Sequence, residues 1–108
     1  MTPEETQEEA LAKLEEYRQQ IDDVDRRIVA LLNERILVVE NIGRVKREVG
    51  LPVYEPKRED QVFANITTSN HGPLTTHAVR GIFERIIDES RSIQRLRMKQ
   101  MPAEEPTC

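Results

Sequence analysis

The 108-residue chain holds one cysteine, no tryptophan, two phenylalanines and two tyrosines. The cysteine is Cys108, the last residue, so neither an intrachain disulfide nor a cysteine metal site can form. With only 4% aromatic residues there is little bulk for a core closed by one chain, and a second chain is expected to complete it. The two histidines have no partners at metal-ligand spacing. His71 falls in a turn sequence and His77 in the first turn of a helix, and both are expected in solvent. No run approaches the roughly 20 apolar residues of a membrane span. The stretch from Met1 to Glu9 is acidic and lacks the basic and apolar regions of a secretion signal, so a cytoplasmic protein is expected, with the Asn65-Ile66-Thr67 sequon left unmodified. Neither sign of charge dominates. Charged residues make up 33% of the chain, interspersed, for a net charge of −4, which speaks against a nucleic-acid-tracking surface.

What the chain does have is helix-forming sequence with clear punctuation. Thr2, Pro3 and Glu5 have the marks of a helix start: a cap, proline in the first helical position, and glutamate three residues after the cap. From there only Gly43 interrupts good helix formers until Gly50-Leu51-Pro52 gives a stop signal, which predicts a long helix over 3–49. A helix of about 45 residues would be about 68 Å long, against a radius of gyration of about 13 Å for a compact monomer of this size. Such a helix would overhang its own globule. Pro56 opens a second helix over 56–69, with Val62, Phe63 and Ile66 on one face and Glu59 on that same face. Asn70-His71-Gly72-Pro73 is turn chemistry, after which Thr75 or Thr76 can cap a third helix over 75–100. Its inward stripe is Val79, Ile82, Phe83, Ile86, Ser90, Ile93 and Gln94. Residues 1–100 are thus expected to form a single all-α domain of three helices, followed by a disordered tail over 101–108.

A heptad frame on residues 11–49 exposes a conflict within the long helix. The a positions are Leu11, Arg18, Asp25, Leu32, Val39 and Lys46; the d positions are Leu14, Ile21, Ile28, Arg35, Ile42 and Val49. The aliphatic majority, widened by Val24, Leu31, Val38 and Val45, predicts a seam that pairs with its copy in another chain, most simply as a symmetric dimer. Yet Arg18, Arg35 and Lys46 lie on that seam, where an unpaired buried cation costs several kcal/mol or more. Something anionic should meet them, either protein carboxylate or a ligand. Arg35 and Lys46 are separated by about 16 Å of helix, close enough for long side chains to converge on one small molecule. Arg18 reaches that place only from the other chain of an antiparallel dimer. A polar residue at a seam position often does no more than fix register, and Asp25 is expected to be structural. Three cations together with an inward Glu59, Ser90 and Gln94 are harder to explain that way. The run Arg91, Arg95, Arg97 and Lys99 gives the third helix a basic end, which is expected to complement its dipole rather than bind an anion.

These residues fall into a pattern. Arg18-x-x-Ile21-Asp22-x-x-Asp25, Leu31-Leu32-x-Glu34-Arg35, Ile42-Gly43-x-x-Lys46, Pro52-Val53-x-x-Pro56-x-Arg58-Glu59 and Ile86-Ile87-x-Glu89-Ser90-x-x-x-Gln94 together resemble the all-helical class of chorismate mutase, across roughly residues 10–97 and in order. The resemblance implies an intertwined all-α homodimer that converts chorismate to prephenate, in phenylalanine and tyrosine biosynthesis, without a cofactor or metal. By the same resemblance Arg18 comes from the partner chain and, with Arg35, clamps the substrate carboxylates. Lys46 bridges a carboxylate and the ether oxygen, and Gln94 donates to that oxygen. Arg58 and Glu59 match a pair in the second helix whose glutamate holds the ring hydroxyl, and Ser90 matches a serine near the ring carboxylate. Glu55 stands where some members have aspartate, which leaves open whether its side chain or its backbone makes the contact.

The residues suit that chemistry. A [3,3] rearrangement needs no nucleophile and no proton transfer; it needs a flexible arm held over a ring and negative charge stabilised on an ether oxygen. Arginines grip carboxylates directionally, and a charged plus a neutral donor in a dry site serve the oxygen. Because a carboxamide donates at any pH, no acid requirement is expected from Gln94. Two other functions compete: an isochorismate-pyruvate lyase, whose pattern lacks Glu59 and Ser90 at the matching positions, and a non-catalytic helical dimerisation module.

Overall fold

The computed structural model describes residues 3–52 and 54–100, with side chains for 6–52 and 54–97. These form three helices, α1 (Pro3–Val49), α2 (Pro56–Ser69) and α3 (Thr76–Gln100). The expected cap at Thr2 and the expected tail over 101–108 lie outside the described residues. Among the described residues, no helix is long and apolar enough to cross a membrane.

The helix ends are set by the residues that marked them in the sequence. At Gly50 the backbone turns left-handed, φ 74°, a conformation that glycine takes without a Cβ clash. Its N–H donates to the Arg47 carbonyl at 3.3 Å and that of Leu51 to the Lys46 carbonyl at 2.8 Å, the paired bonds of a Schellman stop. Pro56 then occupies the start of α2 behind Glu55. Asn70 closes α2 and braces the next turn: its Nδ2 donates to the Leu74 carbonyl at 2.7 Å, and its Oδ1 accepts from the Gly72 N–H at 3.3 Å. Of the two candidate caps, Thr75 is the one used. Its Oγ1 accepts from the Ala78 N–H at 3.0 Å, so α3 begins one residue later than expected.

The chain divides into two compact units, Met1–Val38 and Val39–Cys108. The described part of the first is helix alone. Every described side chain from Thr6 to Glu34 is exposed in the single chain, including Leu11, Leu14, Ile21, Val24, Ile28 and Leu31. Each such side chain contributes about 1.5–3 kcal/mol when fully buried.

The second unit holds the last turns of α1 together with α2 and α3. Helix α2 packs on α3 through half-buried Val62, Phe63 and Ile66, and α3 answers with buried Val79 and half-buried Phe83, Ile86 and Ile87. Ile82, expected in that stripe, is 48% exposed. The α1 seam also departs from its heptad frame here. Val39, Glu40, Gly43 and Lys46 form the half-buried face, whereas Ile42, Val45 and Val49 remain exposed. On this face the side chains of α3 reach α1: Gln94 Nε2 lies 3.6 Å from where a Cβ on Gly43 would stand, and Arg97 pairs with Glu40. The d and g positions are left uncovered by the chain itself.

Candidate active site

The sequence-nominated residues fall in both units. Arg18 and Arg35 belong to the first, where Arg18 is exposed and Arg35 half-buried. Lys46, Glu55, Arg58, Glu59, Ser90 and Gln94 belong to the second, which brings most of them to the facing surfaces of its three helices.

Lys46 is drawn from the last turn-and-a-half of α1, with its side chain only 15% exposed, and its Nζ meets Glu55 Oε1 at 2.6 Å. Glu55 is the N-cap residue of α2, but its side chain makes no cap hydrogen bond. Its carbonyl accepts from the Arg58 and Glu59 N–H groups at 3.1 and 3.2 Å. A short aspartate at a cap commonly folds back on the helix amides; the longer glutamate here instead reaches across to the lysine. Its side-chain contact, left open by the sequence, is with Lys46.

On α3, Ser90 is buried at 5% exposure, and its Oγ donates to the Ile86 carbonyl at 2.9 Å. One turn on, Gln94 lies against α1: a Cβ built on Gly43 would sit 3.6 Å from Gln94 Nε2. Since Gly43 and Lys46 are three residues apart on one helix face, the amide and the ammonium occupy neighbouring turns of the same surface. On α2, Glu59 is 28% exposed and ion-paired with Arg91 of α3. Arg58 stays exposed, with Nη1 donating to Gln61 Oε1 at 3.3 Å.

Two arginines contradict the expected dipole cap of α3. Arg91 pairs with Glu59, and its guanidinium lies 4.8 Å from the centre of the Tyr54 ring. Arg97 pairs with Glu40 of α1 at 3.1 Å. Both bridge helices, because inward carboxylates on α1 and α2 stand opposite them. Sequence reasoning missed Arg91, Tyr54 and Glu40. The available signal was Arg91 itself, which shares a helical face with Ile87 and Gln94.

An all-α domain with a shielded ammonium, a carboxamide and a buried hydroxyl on facing helices, and no thiol or imidazole among them, is suited to non-covalent catalysis on a small anionic molecule. Comparison with known proteins narrows that class. The family described as chorismate mutase type II matches residues 17–95. The chain is 33% identical over 89 residues to the bifunctional chorismate mutase/prephenate dehydratase of Aquifex aeolicus, covering 79% of this chain but 25% of that protein. To the chorismate mutase of Methanocaldococcus jannaschii it is 26% identical, covering 79% of this chain and 87% of that one. A chorismate mutase structure from Thermus thermophilus superposes with a TM-score of 0.74 at 37% identity, covering 77% of this chain and 94% of that chain. The chain belongs to the chorismate mutase type II family. It is a chorismate mutase domain, an isomerase, as the pattern of spaced motifs implied.

Proposed function

We propose that the chain works as a homodimer that rearranges chorismate to prephenate, each site taking Arg35, Lys46, Glu55, Arg58, Glu59, Ser90 and Gln94 from one chain and Arg18 from the other. The observation that supports this assignment is the approach of Gln94 Nε2 to the Gly43 position, 3.6 Å from where a Cβ would stand, one helical turn along α1 from Lys46. Two such donors converging on one ether oxygen stabilise the charge that grows there as its bond to the ring breaks. Arg35 and the partner's Arg18 grip the carboxylates and hold the enolpyruvyl arm over the ring. Ser90 sits by the ring carboxylate and Glu59 accepts from the ring hydroxyl. No proton moves and no covalent intermediate forms.

The dimer is supported by the exposed α1 stripe and by the small closed core: Val79 is the one buried apolar side chain among the described residues. So little burial does not offset the chain entropy lost on folding. A second copy laid along α1 covers the d and g positions that α2 and α3 leave open, and makes residues 1–100 one domain.

Following chorismate and isochorismate in parallel with purified protein tests the activity. Prephenate is expected from chorismate, with no pyruvate from isochorismate. Pyruvate release with chorismate untouched would assign the lyase instead, and inertness toward both would leave the dimerisation module.

The Gly43 contact carries its own prediction. A methyl group at 3.6 Å from the amide is ordinary contact, so Gly43→Ala is expected to keep activity within about threefold and to raise stability by up to about 1 kcal/mol through helix propensity. The γ-methyls of Gly43→Val push the carboxamide off its place and should lower kcat by about 10²-fold, the usual result of a misplacement near 1 Å. Steady-state kinetics with thermal melts read both effects, and a fully active valine variant would detach Gln94 from the chemistry.

A further inference from the structure

The pair formed by Glu59 and Arg91, with Tyr54 against the arginine, is the most developed polar cluster that the proposed reaction does not account for. Glu59 presents a problem of charge. The substrate is a dianion, and a carboxylate placed to accept from its hydroxyl also repels its two carboxylates, at a site where burial weakens screening. It needs an adjacent cation that is itself kept from gripping the substrate.

We propose that Arg91 is a positioning residue that fixes the Glu59 carboxylate and offsets its charge, so that Glu59 is oriented toward the ring hydroxyl without repelling the dianion. This rests on the mutase assignment of Glu59. Arg91 projects from α3, one residue after Ser90, and reaches α2 to pair with Glu59; the Arg91 side chain is 35% exposed and that of Glu59 28%. The Tyr54 ring covers the guanidinium at 4.8 Å, within the range of a cation–π contact. Between carboxylate and ring face, the guanidinium has its charge committed on two sides. A further uncommitted cation beside Arg18, Arg35, Lys46 and Arg58 would offer the substrate carboxylates a competing grip in the wrong orientation. Committed in this way, Arg91 does not. Arginine also suits the place better than lysine, since its planar, delocalised cation can lie on the Tyr54 ring face while pairing with the carboxylate.

The test is a double-mutant cycle read in kcat/KM on chorismate, with thermal melts alongside. Arg91→Leu is expected to lower kcat/KM by about 10–30-fold, as expected for a disordered polar contact in a coupled pair. In a Glu59→Gln background, where there is no carboxylate left to position, the same change should cost no more than about threefold. Arg91→Lys should recover to within about fivefold of wild type, and Tyr54→Phe, which keeps the ring face, should match wild type. Equal losses from Arg91→Leu in both backgrounds would make Arg91 merely structural and overturn the inference, as would wild-type kinetics in Arg91→Leu. If Arg91→Leu does not fold, Arg91→Gln enters the same cycle and is judged by the same outcomes. Absence of mutase activity in the wild-type protein would instead refute the assignment beneath it, so the two failures are distinguishable.

Discussion

Replacing Lys46 with alanine is expected to lower kcat/KM for chorismate by about 10³-fold while leaving the helical content of the protein unchanged. The size follows from the position of the charge. The Lys46 side chain is only 15% exposed, so its ammonium acts through partly desolvated surroundings. A unit charge pair at 4 Å and an effective dielectric near 20 interacts by about 4 kcal/mol, and each 1.36 kcal/mol removed from a barrier is about tenfold in rate. Charge that appears on the ether oxygen only in the transition state draws on most of that interaction, so the loss should fall in kcat as well as in kcat/KM. Stability should change little, because Glu55, the partner left behind, is 46% exposed and water can solvate it. Lys46→Arg separates charge from geometry: it keeps the cation but spreads it over a wider fork, and should retain more activity than alanine while remaining at least about tenfold below wild type. Kinetics within threefold of wild type for Lys46→Ala would remove the ether-oxygen role.

How far the sequence foretold this structure depended on the kind of signal. Helix ends were legible because single residues with stereochemical constraints mark them: Gly50 for the left-handed stop, Pro56 for the start of α2, Thr75 for the cap of α3. The faces were less so. A heptad frame treats a helix as having one apolar seam, but the last turns of α1 serve two directions, with Gln94 and Arg97 of α3 reaching Gly43 and Glu40 on one side while Ile42, Val45 and Val49 stay open. Periodicity alone does not divide a wide stripe between the chain's own helices and a partner's. Polar residues embedded in apolar stripes, such as Ser90 and Gln94, stood out against their surroundings and lie at helix contacts. Arg91 and Arg97 did not stand out, because they sit in a basic run that reads as the charged end of a helix. Only the carboxylates opposite them, Glu59 on α2 and Glu40 on α1, distinguish them. Glu55 was ambiguous for a related reason: a residue before a helix can spend its side chain locally or across the fold, and the choice turns on side-chain length.

Mixing two inactive variants is expected to restore activity. Arg18→Ala and Lys46→Ala should each be nearly inert, the first for want of a carboxylate grip and the second for want of the charged donor, yet dimers formed from one chain of each carry one intact site. In that site the Lys46 of the first chain meets the Arg18 of the second; the other site lacks both. Random pairing of equal amounts makes about half the dimers mixed, so about one quarter of wild-type activity should return once the subunits have exchanged. Each component should otherwise show the mass of a dimer, since neither substitution removes an aliphatic residue from the α1 stripe. The alternative geometry has a different signature. If Arg18 served a site within its own chain, every dimer would contain only singly damaged sites, and mixing would leave the activity at the average of the two variants. Co-refolding the variants from denaturant guarantees exchange even for a slowly dissociating pair, and tagging one chain allows the mixed dimer to be purified, where recovery should rise to about one half. A purified mixed dimer with no more activity than its parents would show that the two arginines and the lysine do not gather across a subunit boundary, and with that the shared site would fail.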